Sequence, residues 1–163
     1  MPGMREPFLS RNPFVVGGLV LMEAAALATI DRYRQNDSRK PEAGGILLGY
    51  RRGSHLHVLE ATPPLRGDRC LRHHFNRSAM PHQTIAMARW HRSGGTVDYL
   101  GEWHTHPEAH PHPSVIDLAA WREIHAARHE PMLFVIAGDT ESDWYGIGWR
   151  SKLQQVAPIV TPE

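Results

Sequence analysis

Two histidines two residues apart, followed after a proline-rich spacer by a serine and an aspartate, constrain this chain more than any other stretch. They stand in Gly101-Glu102-Trp103-His104-Thr105-His106-Pro107 and in Pro113-Ser114-Val115-Ile116-Asp117. If residues 97–106 form a strand, its period of two turns His104 and His106 to one face. If a helix starts near Ser114, Asp117 falls in its first turn and can point back toward the strand end. The fold must then set a strand terminus against a helix N-terminus. Two imidazoles and a carboxylate meeting there make a His/His/Asp metal site. Three protein ligands leave a fourth tetrahedral position for water, which is the arrangement of a catalytic rather than a structural zinc.

Each fragment also has a plain structural explanation. Ser-x-x-Asp at a helix start is a variant of the capping box, in which Ser114 and Asp117 only satisfy backbone donors. A lone His-x-His on a strand is more often a surface pair. What joins the fragments is the turn through Pro107, Pro111 and Pro113, which links a buried-looking strand to a capped helix. The rival spacing His-Glu-x-x-His is absent, because Pro131 follows His129-Glu130 with no second histidine.

These residues resemble the JAMM motif of the MPN-plus metallopeptidases: His-Ser/Thr-His-Pro, a short spacer, then Ser-x-x-Asp. That motif also needs a glutamate just before an apolar strand containing Gly-x-Leu-x-Gly. Glu42-Ala43-Gly44-Gly45-Ile46-Leu47-Leu48-Gly49 matches it. All five functional positions stand at the family spacing, and the resemblance covers about residues 14–150.

The resemblance implies one Zn2+ per chain, held by His104, His106 and Asp117. It makes Glu42 the base that takes a proton from the attacking water and passes it to the leaving amine; by itself Glu42 is an undistinguished loop glutamate. Ser114 has no evident histidine–carboxylate pair to activate it as a nucleophile, and the resemblance gives it the role of donor to the oxyanion. Capping and donation are expected to compete for its one hydroxyl proton. The implied activity is that of a zinc isopeptidase or peptidase. It cuts after the C-terminal tail of a ubiquitin-like or otherwise conjugated protein, a tail that can enter a groove as an added strand. Residues 63–79 stand where the family places an insertion that clamps the tail. The compact chain is similar to bacterial deconjugating, deubiquitinase-like members, some of which accompany ubiquitin-activating-like and ubiquitin-conjugating-like proteins in anti-phage operons. Three readings compete: a JAMM protease that processes a sulfur-carrier protein, a non-catalytic MPN scaffold, and a DNA-associated role like that of RadC-type relatives.

Composition narrows the setting. A chain of 163 residues is one domain, able to bury most of its apolar surface without disulfides. It divides into an arm over residues 1–13, rich in proline and expected to be loosely attached, and a single JAMM/MPN domain over residues 14–163. One cysteine, Cys70, cannot form an internal bridge, which suits a reducing cytoplasm. In its loop Cys70 could approach the metal as an inhibitory thiolate. A net charge of +1 leaves no electrostatic footprint for nucleic acid. The apolar run Phe14–Met22 imitates a signal peptide but is too short to span a membrane, and Glu23 follows at once. No membrane partner is expected. Most of the 12 histidines must be ordinary. His55, His57, His73, His74, His82, His91, His125 and His129 read as surface or packing residues, while His110 and His112 could border the cleft.

Along the chain, pattern and punctuation predict a helix over residues 18–35 and a strand at Gly45–Tyr50. A turn at Arg51–Ser54 and a strand at His55–Ala61 follow. A helix introduced by Ser78 and Pro81 ends at Ser93-Gly94-Gly95, and Val97–Trp103 is the central strand. The motif helix runs from Ser114 to Arg128, with Leu118, Trp121, Ile124 and His125 toward the core. Met132–Ala137 and Trp144–Trp149 complete the pattern, and residues 151–159 have no assignment. This order suits the α/β class, a mixed sheet flanked by helices. The resemblance implies the same architecture, related to that of cytidine deaminases.

Overall fold

The apolar runs of the chain become neighbours in one sheet. The structure, a computed structural model, describes residues 5–65, 69–71, 74–76, 79–140 and 142–159. Its elements in order are β1 (Phe8–Arg11), β2 (Leu19–Met22), α1 (Ala24–Asp31), β3 (Gly44–Arg52), β4 (His55–Ala61), β5 (Arg69–Leu71), β6 (His74–Asn76), α2 (Ala79–Arg92), β7 (Val97–Thr105), α3 (Val115–Ala126), β8 (Met132–Ala137), β9 (Asp143–Trp149) and β10 (Lys152–Val156). Eight strands form one sheet in the order β1-β2-β4-β3-β7-β8-β9-β10, and β5 pairs with β6 separately. The sheet is mixed: β2 with β4 and β7 with β8 are parallel, and the other pairs are antiparallel.

The parallel pair positions the site. Parallel neighbours cannot be joined by a tight turn, so the chain leaves β7, crosses as α3 and returns as β8. A crossover helix begins near the carboxyl end of the strand it follows, where open α/β sheets bind ligands. The end of β7 and the start of α3 are therefore neighbours by topology.

β8 is buried on both faces and separates two apolar layers. Leu133, Val135 and Ala137 join Leu27 and Ile30 of α1 and Trp103 of β7 on one side. Met132, Phe134 and Ile136 join Trp121 of α3 and Trp144 of β9 on the other. Close approach at β7 requires glycine: a Cβ on Gly101 would collide with the Leu133 carbonyl. Gly45 likewise leaves room for the Trp103 indole, whose Nε1 donates to the Thr62 carbonyl at 2.9 Å.

Several expectations are corrected. The helix expected over 18–35 is a strand followed by a shorter helix. Val20 and Met22 are completely buried between β1 and β4, so tertiary pairing overrides the helix preference of the Leu-Met run. Residues 8–11 are not a loose arm but the edge strand β1. Phe8 stacks on Tyr145 of β9 at 3.8 Å, and Ile159 N–H donates to the Leu9 carbonyl at 2.8 Å. The two ends of the twisted sheet thus approach each other, and the unassigned C-terminal stretch forms β10 along β9. Arg51 and Arg52 belong to β3, with the reversal at Gly53 and Ser54. Leu118 is 43% exposed rather than core-facing, while Trp121 and His125 are buried. On α2, Met87 and Trp90 are exposed and line a groove of about 470 Å³ with Ile46, Tyr99 and Ile124. Residues 63–79 hold the β5–β6 hairpin. Positions 66–68, 72–73 and 77–78 and the side chain of Cys70 lie outside the described residues, and with them the clamp and the thiolate expected there. Among the described residues no helix is long and apolar enough to cross a membrane.

Candidate metal centre

At the end of β7 the pleat divides the motif between two layers. Trp103 and Thr105 point into the core and are at most 1% exposed, leaving His104 on the opposite face. His106 lies one residue past the strand, held in line by its N–H bond to the Ala137 carbonyl at 2.9 Å. His104 is braced by Trp121, with ring centroids 5.6 Å apart, and Trp121 stacks in turn on Phe134 and Trp144. Asp117 is one turn before Trp121 on the same helix face. Docking of that tryptophan into the core therefore also aims the carboxylate at the histidines.

His104 Nε2 and His106 Nε2 are 3.1 Å apart, and Asp117 Oδ2 lies 3.3 and 3.2 Å from them. With metal–ligand bonds of about 2.0 Å, neighbouring ligand atoms of a tetrahedron stand about 3.3 Å apart. The three observed spacings match those edges, and these residues form the one His/Cys/Asp/Glu cluster able to hold a metal ion among the described residues. His106 Nδ1 is buried with no hydrogen-bond partner among them, and Glu108 Oε1 is 3.5 Å away. A histidine that binds metal through Nε2 commonly turns Nδ1–H toward a carboxylate. Glu108 was not singled out from sequence; its only signal there was an acid placed next to the His-x-His-Pro run.

The capping box and the metal cluster coexist. Ser114 Oγ accepts from Asp117 N–H at 3.0 Å, and Asp117 Oδ2 accepts from Ser114 N–H at 2.8 Å. The same oxygen faces both imidazoles, so the cap orients the third member of the cluster. The expected competition for the Ser114 proton does not arise, because the cap uses a lone pair of the hydroxyl and leaves its proton for donation. Ser114→Ala is expected to cost about 1 kcal/mol in denaturant unfolding of the metal-free protein, and Ser114→Gly only a few tenths. Equal losses for both would disconnect Ser114 from the cap.

Glu42 arrives from the other side, just before β3. It is 5% exposed, with Oε1 3.7 Å from His106 Nε2. Burial pushes its pKa up to about 7; His106 opposes that shift and the negative charges of Asp117 and Glu108 add to it. Burial also works against the charge on Asp117, but hydrogen bonds from His104 and His106 outweigh it and hold the carboxyl well below its usual range. Burial opposes protonation of His106, yet Asp117 and Glu42 raise its pKa overall. Three carboxylates gathered around two imidazoles make a pocket suited to a cation.

Among the described residues no further histidine joins this cluster. His110 and His112 are exposed, with His110 Nδ1 3.3 Å from Ser142 Oγ. His57 pairs with Glu23 at 2.7 Å, and His55 Nδ1 accepts from Leu19 N–H. His82 and His125 are buried packing residues.

Comparison with known proteins places this geometry. Residues 24–151 match the family described as prokaryotic homologs of the JAB domain. A protein of Pseudomonas aeruginosa named CD-NTase/cGAS isopeptidase is 41% identical over 122 residues, covering 74% of this chain and 77% of that protein. Proteins of the same name from Vibrio cholerae and Escherichia coli are 39% and 36% identical, covering 78% of this chain in each case and 81% and 80% of those proteins. A solution structure of a Desulfitobacterium hafniense protein superposes with a TM-score of 0.53 and 20% identity, over 84% of this chain and 86% of that one, a likeness of fold. The family match runs from α1 through β9 and takes in every residue of the cluster, and the chain belongs to the prokaryotic JAB-domain family.

Proposed function

We propose that this chain is a zinc-dependent isopeptidase that hydrolyses the bond joining a conjugated protein to its target. The observation that carries this reading is the set of 3.1–3.3 Å spacings among His104 Nε2, His106 Nε2 and Asp117 Oδ2, with the Glu42 carboxylate beside them. The relatives named CD-NTase/cGAS isopeptidase support the same activity. They point to a CD-NTase as one partner of the bond, with ubiquitin-activating-like and ubiquitin-conjugating-like proteins as the source of the conjugate. A reducing cytoplasm suits the single cysteine.

His104, His106 and Asp117 would hold the ion. When bound, zinc supplies Lewis-acid chemistry, acidifying water and polarising a carbonyl. Glu42 takes the proton of the attacking water and returns it to the departing amine, the work of a positioned general base. The Ser114 proton, which the cap leaves uncommitted, donates to the oxygen on which charge develops. Loss of that one donor in Ser114→Gly is expected to lower kcat by about 10²- to 10³-fold.

The direct test is cleavage of an isopeptide-linked CD-NTase conjugate by the purified protein. Release is expected with zinc, loss of release after 1,10-phenanthroline and dialysis, and recovery when zinc is restored. Undiminished cleavage by protein shown by elemental analysis to lack metal would overturn the reading.

A further inference from the structure

The residue between the two imidazole ligands carries a hydrogen-bond chain that leads to Glu42. Thr105 is completely buried and Gln35, just beyond α1, is 2% exposed. Ala43 N–H donates to Thr105 Oγ1 at 3.0 Å, and Thr105 Oγ1 donates to Gln35 Oε1 at 2.9 Å. Gln35 Nε2 donates to the Lys40 carbonyl at 3.2 Å, and Thr105 N–H donates to the Ala43 carbonyl at 2.9 Å.

The direction of every bond in this chain is forced. A backbone N–H can only donate, so the Thr105 hydroxyl must accept from Ala43 and spend its single proton on Gln35. The Gln35 amide is then set with its oxygen toward Thr105 and its nitrogen toward Lys40. One side chain thus holds Lys40 and another holds Ala43, the two ends of the short segment that carries Glu42. Both are tied to a residue flanked in sequence by His104 and His106. Ordinary pairing begins only at Gly44, opposite His104. At Ala43 a hydroxyl stands in for a strand acceptor, and the chain before it is free to turn Glu42 toward the imidazoles.

We propose that Gln35 and Thr105 are positioning residues that fix Glu42 relative to the two histidines, and so set kcat without touching substrate. The proposal rests on Glu42 acting as the base of the isopeptidase reaction proposed above. A catalytic group held about 1 Å out of place can cost about 100-fold in rate, so effects well above those of ordinary core substitutions are expected.

The test compares Thr105→Val, Thr105→Ser, Gln35→Met and Glu42→Gln with the wild-type protein in two measurements. In metal-free protein, amide hydrogen exchange across residues 36–43 is expected to quicken at least tenfold in Thr105→Val and Gln35→Met, and to stay near wild type in Thr105→Ser. In zinc-loaded protein, Thr105→Val and Gln35→Met are expected to lose at least tenfold in kcat with KM within about threefold, and Thr105→Ser to recover most of the rate. Wild-type exchange in Thr105→Val and Gln35→Met, or kcat within twofold of wild type in both, overturns the positioning role. So does a Thr105→Ser protein as slow as Thr105→Val. If Glu42→Gln itself cleaves at the wild-type rate, the assignment of Glu42 as the base fails and the positioning role falls with it, while the isopeptidase activity stands; a dead Glu42→Gln beside fully active Thr105→Val and Gln35→Met removes the positioning role alone.

Discussion

Glu42→Gln is expected to lower kcat by about 10²- to 10⁴-fold, the usual worth of a positioned general base, while zinc content, fold and KM stay close to wild type. The substitution keeps the shape of a side chain that is 5% exposed and removes only its ability to take a proton. Its distance of 3.7 Å from His106 Nε2 puts it beside the ligand set rather than in it, so metal should remain bound. Steady-state cleavage of the conjugate, with zinc measured on the same preparations, checks the expectation. A kcat within tenfold of wild type would remove Glu42 from the reaction.

The second large effect is on stability and lies away from the chemistry. Arg34 is 5% exposed and donates to Asp143 Oδ1 at 2.7 Å, Asp143 Oδ2 at 3.1 Å and the Gly138 carbonyl at 3.1 Å. Arg5 adds a bond to Asp143 Oδ2 at 2.6 Å. Removing Arg34 leaves the buried Asp143 with only Arg5 and Tyr145 as side-chain partners among the described residues, so Arg34→Met is expected to cost about 3 kcal/mol, the lower end for breaking a buried pair. Burial alone would raise the Asp143 pKa, but the hydrogen bonds from Arg34 and Arg5 overcome it and leave the carboxyl below its ordinary value. A depressed folded-state pKa stabilises the protein above the unfolded value of about 3.9, and that stabilisation is lost as pH falls through the folded value. Wild-type stability should therefore decline in acid below about pH 4, and Asp143→Asn should lack this part of the decline. Denaturant unfolding from pH 3 to 7 measures both. An Arg34→Met protein within 1 kcal/mol of wild type would mean that the network contributes little.

This network also shows how remote residues serve the site. The Gly138 carbonyl that Arg34 holds begins the β8–β9 turn, and Asp139 N–H in that turn donates to the Glu108 carbonyl at 2.9 Å. The proline-rich spacer between His106 and Asp117 is thus fastened to the segment just beyond α1 through a turn some thirty residues further along the chain. No local pattern marks Arg34 or Gln35 for these roles, because Asp143 and Thr105 lie 109 and 70 residues away from them.

Legibility followed the range of the forces involved. Strands β3, β4, β7, β8 and β9 could be read because apolar runs and alternation are local consequences of burial. The 19–22 run was misread as helix because Leu and Met suit both structures, and only pairing with β1 and β4 decides between them. Leu118 kept a core-facing spacing yet faces outward, because Trp121 and His125 already fill the layer beneath α3. Neither β1 nor β10 carries a distinctive pattern; each becomes a strand by completing an edge.

The sequence by itself determined the residue types of the His104, His106 and Asp117 cluster, their spacing and the helix start that presents Asp117, since period-two and capping geometry act within a few residues. Only the tertiary structure decided that Glu42 approaches His106, that Thr105 and Gln35 tie its segment to the imidazoles, and that the Ser114 cap leaves a proton to donate. Those relations depend on distances between residues far apart in the chain. Such distances are set when β7, α3 and β8 close around a shared core, and no local propensity encodes them.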